Sequence, residues 1–295
     1  MINHHTNVKK LKKMDDKELK KNLANILFDF ADFCEKNNLR YLITWGTLLG
    51  CIRHKGFIPW DDDIDLMMPR EDYEKLREIV AKNDYTINKD YYKLATANNK
   101  YSIHMPLFRV LDMRTVCDSK KRCPKYWLPL WIDIMPVDHV PKDNKVLEKE
   151  FFRFNRSIAH MSFAIYNSNR KQDSIKKIIG KIEEPFMDYF INKYDKRLST
   201  IGKPDDGYFD FSIETSNLDH GKTFADFVFD KSIFDNYVYK SFEGHKIRVP
   251  KNYDELLTLF YNDYMQLPPE DKRVSHSNGV YWLKDGELYG EKPEK

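Results

Sequence analysis

Four aspartates fall within five positions of this chain, and apolar residues flank them on both sides. These aspartates are Asp61, Asp62, Asp63 and Asp65. The apolar segment 57–60 precedes them, Ile64 lies between the last two, and the apolar segment 66–68 follows them. Carboxylates this close raise one another's pKa, so the group needs protons, cations or wide exposure to solvent. The apolar flanks indicate the edge of a core, where hard cations with oxygen ligands are the natural counter-charge.

Around the aspartates, the spacing of apolar residues predicts an α/β (α+β) fold with a mixed sheet and helices. Asp15 followed by Glu18 resembles a capping box, which predicts the start of a helix over 16–37. The next predicted elements are a strand at 41–44, a helix from Gly46, a strand at 64–68, a helix at 71–81, and strands at 102–111 and 130–135. We predict that the polar segment 113–129 is a loop over the site.

After Pro141 the pattern becomes mainly helical and rich in aromatic residues. It predicts a long helix from Asn144, a helical stretch over 174–197 broken at Pro185, a hairpin over 237–249 turning at Glu243-Gly244, and a last helix at 252–264. We therefore predict a catalytic core over 1–140 and a second part over 141–295 that forms the donor and acceptor pocket.

The spacing of the aspartates along the predicted strand places several carboxylates on the same face of the sheet. Residues two apart on a strand point to the same face, so Asp63 and Asp65 share a side, and an extended Asp61 would follow them. Asp133 lies inside the apolar segment 131–134, where a charge is costly unless it is paired or metal-bound. We predict that Asp61, Asp63, Asp65 and Asp133 hold one or two Mg²⁺ or Mn²⁺ ions, with Asp63, Asp65 and Asp133 at the catalytic centre. Whether Asp133 is a ligand or a base stays open.

Gly46 and Thr47 lie between a predicted strand and a predicted helix. Glycine lets the backbone approach a phosphate, and the helix N-terminus offers free N–H groups and partial positive charge. Arg53 supplies a cation where a pyrophosphate would need one, so we predict that all three contact the phosphates of a donor. Taken alone, Gly46 and Thr47 would indicate only the start of a helix, and the aspartates 61–65 would indicate only a solvated acidic loop. Their order with the paired carboxylates predicts metal-dependent phosphoryl transfer.

Composition excludes several other classes of function. The net charge of +3 is a small difference between 49 basic and 46 acidic residues, so it does not indicate a nucleic-acid partner. The four cysteines lack the paired spacing of a zinc site or disulfide framework, which favours reduced thiols in the cytoplasm. No apolar run approaches the length of a membrane span, roughly 18 residues.

With these residues identified, the chain resembles the LicD family. The hallmark of that family is similar to Gly46–Gly50, Arg53-His54 and 58–65 of this sequence. Further matches lie at 69–73, at 108–115, at 132–138, at 249–253 and at 267–270. The family is similar to nucleotidyltransferase-fold enzymes and to the animal fukutin-related proteins, so the resemblance implies a nucleotidyltransferase-like core.

The resemblance also implies an activity. It implies transfer of phosphocholine, or a related phospho-alcohol, from a CDP-linked donor (CDP-choline favoured) to a hydroxyl of a surface glycan, with release of CMP. The acceptor would be lipooligosaccharide, teichoic acid or another surface polymer, which places the protein in the cytoplasm with peripheral contact at the inner face of the membrane. Tyr126, Trp127 and Trp131 are candidates for a choline cage, although core packing is the better explanation for aromatic residues in a chain with so many of them.

Two other readings of the same residues stay open. One is a nucleotidyltransferase that adds a nucleotide to a small alcohol or a protein, because the same metal site would serve both reactions. The other is a non-catalytic glycan-binding relative, which would have no need of a cation site.

Overall fold

The structure is a computed structural model that describes residues 8–97, 99–102, 105–118, 127–165, 178–179, 181–182, 184–212, 218, 221–273, 275, 279–284 and 286–290. Its helices are α1 (Asp16–Lys36), α2 (Trp45–His54), α3 (Arg70–Ala81), α4 (Asn144–Ile165), α5 (Met187–Leu198) and α6 (Tyr253–Tyr261). Its strands are β1 (Lys12–Lys13), β2 (Leu42–Ile43), β3 (Asp65–Pro69), β4 (Thr86–Ile87), β5 (Lys89–Ala95), β6 (Phe108–Asp118), β7 (Leu128–Val140), β8 (Gly207–Asp210), β9 (Tyr237–Phe242), β10 (His245–Pro250) and β11 (Gly279–Trp282).

A mixed sheet of nine strands forms the centre of the fold. Its main path runs β1-β11-β6-β7-β3-β2, while β5 joins β6, β4 joins β5, and β8 joins β7. The β3–β7 pair is parallel, and the other described pairs are antiparallel. This sheet with its helices confirms the α+β fold predicted from the sequence.

Helix α1 covers part of the sheet, and its sequence explains why it forms. The Asp15 carboxylate accepts a hydrogen bond from the Glu18 backbone N–H at 2.7 Å, so it caps one of the free N–H groups of the first turn. Leu23, Ile26 and Phe30 lie on the buried face and are fully enclosed. Each such side chain stabilises the fold by about 1.5–3 kcal/mol relative to exposure.

The segment 69–73 fixes the end of β3 through ion pairs with residues of other elements. Arg70 donates to both carboxylate oxygens of Asp138 on β7, at 2.7 and 2.9 Å, and to Asp195 on α5 at 2.7 Å. Glu71 contacts His139 and Tyr208. These residues of the family resemblance therefore join β3, β7, β8 and α5 and hold the strand next to the aspartates in place.

The predicted loop over 113–129 is wrong at both of its ends. Strand β6 continues to Asp118, and β7 begins at Leu128. Polar residues fit this part of the sheet because they pair within it: Arg114 donates to Asp112 at 2.9 and 2.7 Å and lies 3.7 Å from the centre of the Tyr91 ring. Residues 119–126, which include Tyr126, lie outside the described part of the chain.

The second part supplies strands as well as helices. The β9–β10 hairpin turns at Glu243-Gly244 as predicted, and α4 begins at Asn144. Helix α5 begins two residues after Pro185, while 174–177, 180 and 183 of the predicted stretch lie outside the described residues. Strands β8 and β11 join the nine-stranded sheet, so the sheet takes strands from both sides of Pro141 and the predicted division stays a prediction. Within the described residues, no helix has the length and apolar character needed to cross a bilayer.

Candidate active site

The site lies where α2, β3 and β7 meet. Asp65 is the first residue of β3, and its backbone N–H donates to the Thr47 hydroxyl oxygen at 2.9 Å. Its carbonyl accepts from the Thr44 N–H at 3.1 Å, at the residue that precedes α2. Thr47 is therefore a buried link between the helix start and the aspartate strand. These bonds fix the backbone of Asp65 against α2.

Strand register brings three charged side chains into one row. Asp65 on β3 lies directly opposite Asp133 on the parallel strand β7, and Asp133 lies opposite Arg109 on β6. Neighbouring residues of adjacent strands point to the same face of a sheet. The row therefore carries one cation and two carboxylates across three strands.

Asp61 and Asp63 approach the row from the loop between α2 and β3. A Cβ atom on Gly46 would lie 2.8 Å from an Asp61 carboxylate oxygen, so glycine leaves room for Asp61 beside the start of α2. The Asp61 N–H donates to the Ile58 carbonyl at 2.9 Å, and Lys20 on α1 donates to the Pro59 carbonyl at 2.7 Å. Asp62 accepts from Ser275 at 3.4 Å. The loop is therefore braced so that Asp61 and Asp63 lie near Asp65.

Desolvation and the neighbouring charges raise the pKa values of Asp63 and Asp65. Desolvation is the largest cause at Asp63, followed by the charge of Asp61 and a hydrogen bond between the two carboxyl groups, and together they raise the pKa of Asp63 to about 8. The side chain of Asp63 is exposed to solvent, which screens these charges. Burial, then the charges of Asp63 and Asp133, raise the pKa of Asp65 well above its ordinary 3.8.

Asp133 has a cationic partner, Arg109. Arg109 donates to it through Nε at 2.5 Å and through Nη2 at 3.4 Å, and Trp131 donates its indole N–H at 3.0 Å. The Arg109 guanidinium also lies 4.4 Å from the centre of the Trp131 ring. The Arg109 guanidinium therefore covers one face of Trp131, a candidate residue for the choline cage. Trp127 precedes β7, and its carbonyl accepts from the Tyr289 hydroxyl.

Asp61, Asp63 and Asp65 are three of the residues predicted to hold a divalent cation. Three oxygen-bearing groups repel one another there, and a hard cation would relieve that repulsion. In the part of the chain that is described, no group of three or more His, Cys, Asp or Glu side chains forms a ready-made metal site. The predicted cation at Asp61, Asp63 and Asp65 therefore stays a prediction; Mg²⁺ is usually held by one or two carboxylates, and water and substrate phosphates complete its coordination.

The three predicted phosphate contacts lie in different places. Gly46 and Thr47 are in the first turn of α2, next to Asp61 and Asp65. Arg53 is in the last turn, about 10 Å further along the helix at 1.5 Å per residue. Its guanidinium donates to the Tyr264 carbonyl at 2.7 Å, which ties α2 to the C-terminal segment. The structure thus brings Gly46 and Thr47 to the carboxylates and turns Arg53 towards that segment.

A fifth carboxylate and a tryptophan were missed at the sequence level. Asp210 on β8 is buried, accepts from the Trp45 indole at 3.2 Å, and adds its charge to those that raise the pKa of Asp65. Trp45 has a φ of +46°, uncommon for a bulky residue, and stacks on Phe260 with ring centres 4.1 Å apart. Asp210 carried the signal used for Asp133, a charge inside the apolar segment 208–211.

Comparisons with known proteins converge on one family. The family described as LicD/FKTN/FKRP, nucleotidyltransferase domain, matches residues 38–160. Lipopolysaccharide cholinephosphotransferase LicD of Haemophilus influenzae is 30% identical over 287 residues, which cover 92% of this chain and 100% of that protein. An uncharacterized protein of Rickettsia prowazekii is 39% identical over 69 residues, or 22% of this chain and 26% of that protein.

Proposed function

Because this chain belongs to the LicD family, we propose that it transfers phosphocholine from CDP-choline, or a related phospho-alcohol from its CDP-linked form, to a hydroxyl of a cell-surface glycan, releasing CMP. The similarity to the Haemophilus influenzae enzyme covers that protein in full, which favours a lipopolysaccharide-type acceptor. A teichoic acid or another surface polymer would present the same hydroxyl chemistry. We further propose that the protein works at the cytoplasmic face of the membrane, where lipid-linked glycans are accessible.

The carboxylate cluster is the observation that carries this proposal. Asp61, Asp63, Asp65 and Asp133 all lie within the matched nucleotidyltransferase region. Raised pKa values at Asp63 and Asp65 are typical of groups that await a charged ligand, and perturbed pKa values are concentrated at functional sites. A binding protein without catalysis would have no reason to maintain this repulsion.

In the mechanism, the protein mainly positions groups and balances charge. A bound Mg²⁺ or Mn²⁺ would neutralise phosphate oxygens and lower the barrier to displacement at phosphorus. Asp61, Asp63 and Asp65 would hold it, since their carboxylates are the crowded ones. Gly46 leaves the start of α2 open to close approach, where backbone N–H groups favour an anion. The acceptor hydroxyl attacks the phosphorus that bears choline, and the bond from that phosphorus to the bridging oxygen of the diphosphate breaks. The bridging oxygen leaves with CMP, and the hydroxyl proton passes to solvent.

We expect Asp63→Asn and Asp65→Asn to abolish CMP release from CDP-choline while the protein stays folded. Each change keeps the side-chain shape and removes one charge that the cation requires. Asp62→Asn is the matched control in the same loop, because Asp62 contacts Ser275. CMP is measured by chromatography with divalent metal and a lipooligosaccharide acceptor. Turnover near that of the wild type in either Asp63→Asn or Asp65→Asn would remove these residues from the reaction.

The reaction class is tested by the identity of the released product. The family match is to a nucleotidyltransferase domain, so a nucleotidyl transfer is the specific competitor. We expect CMP from CDP-choline and no pyrophosphate from CTP or ATP when an acceptor is supplied. Pyrophosphate release with a nucleotide left on the acceptor would replace our proposal with nucleotidyl transfer. A panel of CDP-alcohols then identifies the preferred donor.

A further inference from the structure

Arg109 has hydrogen-bonding capacity that no described residue uses. Its Nε and Nη2 both face Asp133, whereas its Nη1 is buried and has no hydrogen-bond partner among the described residues. The side chain is only 7% exposed. Buried N–H groups normally have a partner, so an unused one beside a carboxylate site calls for an explanation. In the sequence, Arg109 belongs to the 108–115 match to the family, but nothing there indicated this role.

We propose that Arg109 binds a phosphate of the nucleotide donor, and that Asp133 positions Arg109 instead of binding metal. This rests on the proposed function, because it assigns the donor's diphosphate to this row of the sheet. Arg109, Asp133 and Asp65 are aligned across β6, β7 and β3. A diphosphate over that row would meet a guanidinium on one side and the metal-binding carboxylates on the other.

The contacts of Asp133 support its positioning role. Its oxygens are engaged by Arg109 and by the Trp131 indole, so both face protein donors in this structure. An arginine held by a carboxylate along one edge keeps its remaining N–H groups in a fixed fork, which suits phosphate oxygens. A lysine would keep the charge and lose that fork.

Trp131 explains how the site would respond to a ligand. The guanidinium is stacked on its ring, and Nη1 is shielded from solvent. A phosphate can therefore reach Nη1 only if the ring or the guanidinium moves. We expect a change in Trp131 fluorescence when CDP binds, and this change should be absent from Trp131→Phe.

Strand β6 also contains a matched control. Arg114 is paired with Asp112 through two hydrogen bonds and is stacked on the Tyr91 ring, so it forms the same kind of unit five residues away. It makes no contact with the carboxylate row in the described structure. Arg114→Lys therefore tests the loss of such a unit without touching the proposed phosphate position.

The experiment measures binding, so it does not depend on turnover. CDP is titrated by calorimetry with Mn²⁺ present, and Mn²⁺ alone is titrated by electron paramagnetic resonance. We expect Arg109→Lys and Asp133→Asn to weaken CDP binding about tenfold while Mn²⁺ affinity stays within about twofold, on the scale of one charge-assisted contact. Arg114→Lys should leave CDP affinity within about twofold, and thermal unfolding confirms that each variant is folded.

The outcomes separate this inference from the proposed function. Wild-type affinity for CDP in Arg109→Lys would overturn the role of Arg109 and leave phosphocholine transfer standing. Loss of Mn²⁺ binding in Asp133→Asn would make Asp133 a metal ligand and overturn its positioning role. If wild-type protein binds CDP in an Arg109-dependent way yet never turns over CDP-choline, the phosphate site stands and the proposed reaction falls.

Discussion

Removing one of the crowded carboxylates should have opposite effects on stability and on activity. Without metal, Asp63→Asn should make the protein more stable at alkaline pH. Folded Asp63 keeps its proton to about pH 8, whereas the unfolded side chain loses it near its ordinary pKa of 3.8. Between those values the folded state binds more protons, so the free energy of unfolding falls as pH rises and levels off above pH 8. Asparagine carries no such dependence.

The size of the effect follows from the pKa of Asp63. One pH unit corresponds to about 1.4 kcal/mol, so the interval from 3.8 to 8 would give about 6 kcal/mol for a fully buried carboxyl. Because this side chain still reaches solvent, its interactions are screened and we expect about 1–2 kcal/mol at pH 8.5. For a chain of 295 residues that is a rise in Tm of about 2–3 °C.

The assay is thermal unfolding in EDTA at pH 5 and at pH 8.5, followed by circular dichroism. Asp63→Asn should exceed the wild type by more at pH 8.5 than at pH 5. Added Mg²⁺ should then reverse the order, since a ligand stabilises the state that binds it and Asp63→Asn binds it poorly. Asp205→Asn is the control, because Asp205 is an exposed carboxylate whose ion-pair partner is Lys231.

Two results would refute this reasoning. One is a metal-free Asp63→Asn that is no more stable than the wild type at pH 8.5, which would mean that the carboxylates do not oppose folding. The other is an equal gain from Mg²⁺ in both proteins, which would place the cation elsewhere. A comparable gain in Asp205→Asn would show a general effect of charge.

Three further substitutions test how the site is built. Gly46→Ala should leave Tm within about 2 °C and lower CMP release, because its Cβ meets only the movable end of Asp61 at 2.8 Å. Gly50→Ala should cost about 1–3 kcal/mol by thermal unfolding, since its Cβ would lie 2.5 Å from the Gly56 carbonyl in rigid backbone. Arg70→Ala should cost about 3–5 kcal/mol and lower Tm by about 5–8 °C, because it leaves buried Asp138 unpaired. Preserved Tm in Arg70→Ala would contradict its role in holding β3.

Sequence patterns predicted local structure well. The period of apolar residues and the Asp15 cap predicted α1 to within a residue, and the Glu243-Gly244 pair predicted the hairpin turn. These features depend on residues close together in the chain, where spacing and turn preference are visible. Prediction was wrong over 113–118, because the polar character of Arg114 suggested a loop. Its partner Asp112 is two residues away on the same strand, but only the fold brings it the Tyr91 ring.

The sequence was enough to select several residues of the candidate site, but not to predict which of them contact one another. Asp63, Asp65 and Asp133 could be selected from the sequence, since charges beside apolar strands are costly. Arg109 and Asp210 carried the same signal, a charge inside an apolar segment, but their partners on neighbouring strands are unknown from sequence, so neither was selected. The pairing of Asp133 with Arg109 bears most directly on mechanism, and only the structure reveals it.

Strand register explains why that pairing could not be inferred. Asp65 and Asp133 are far apart in the chain, and they meet because β3 lies parallel to β7 with these residues opposite each other. A slip of one residue would place Ile132 or Ile134 opposite Asp65, and every side chain of the strand would change face. The carboxylate row therefore exists only in one register. Arg70 secures that register at the far end of β3 through Asp138, so residues remote from the chemistry determine whether the charges meet.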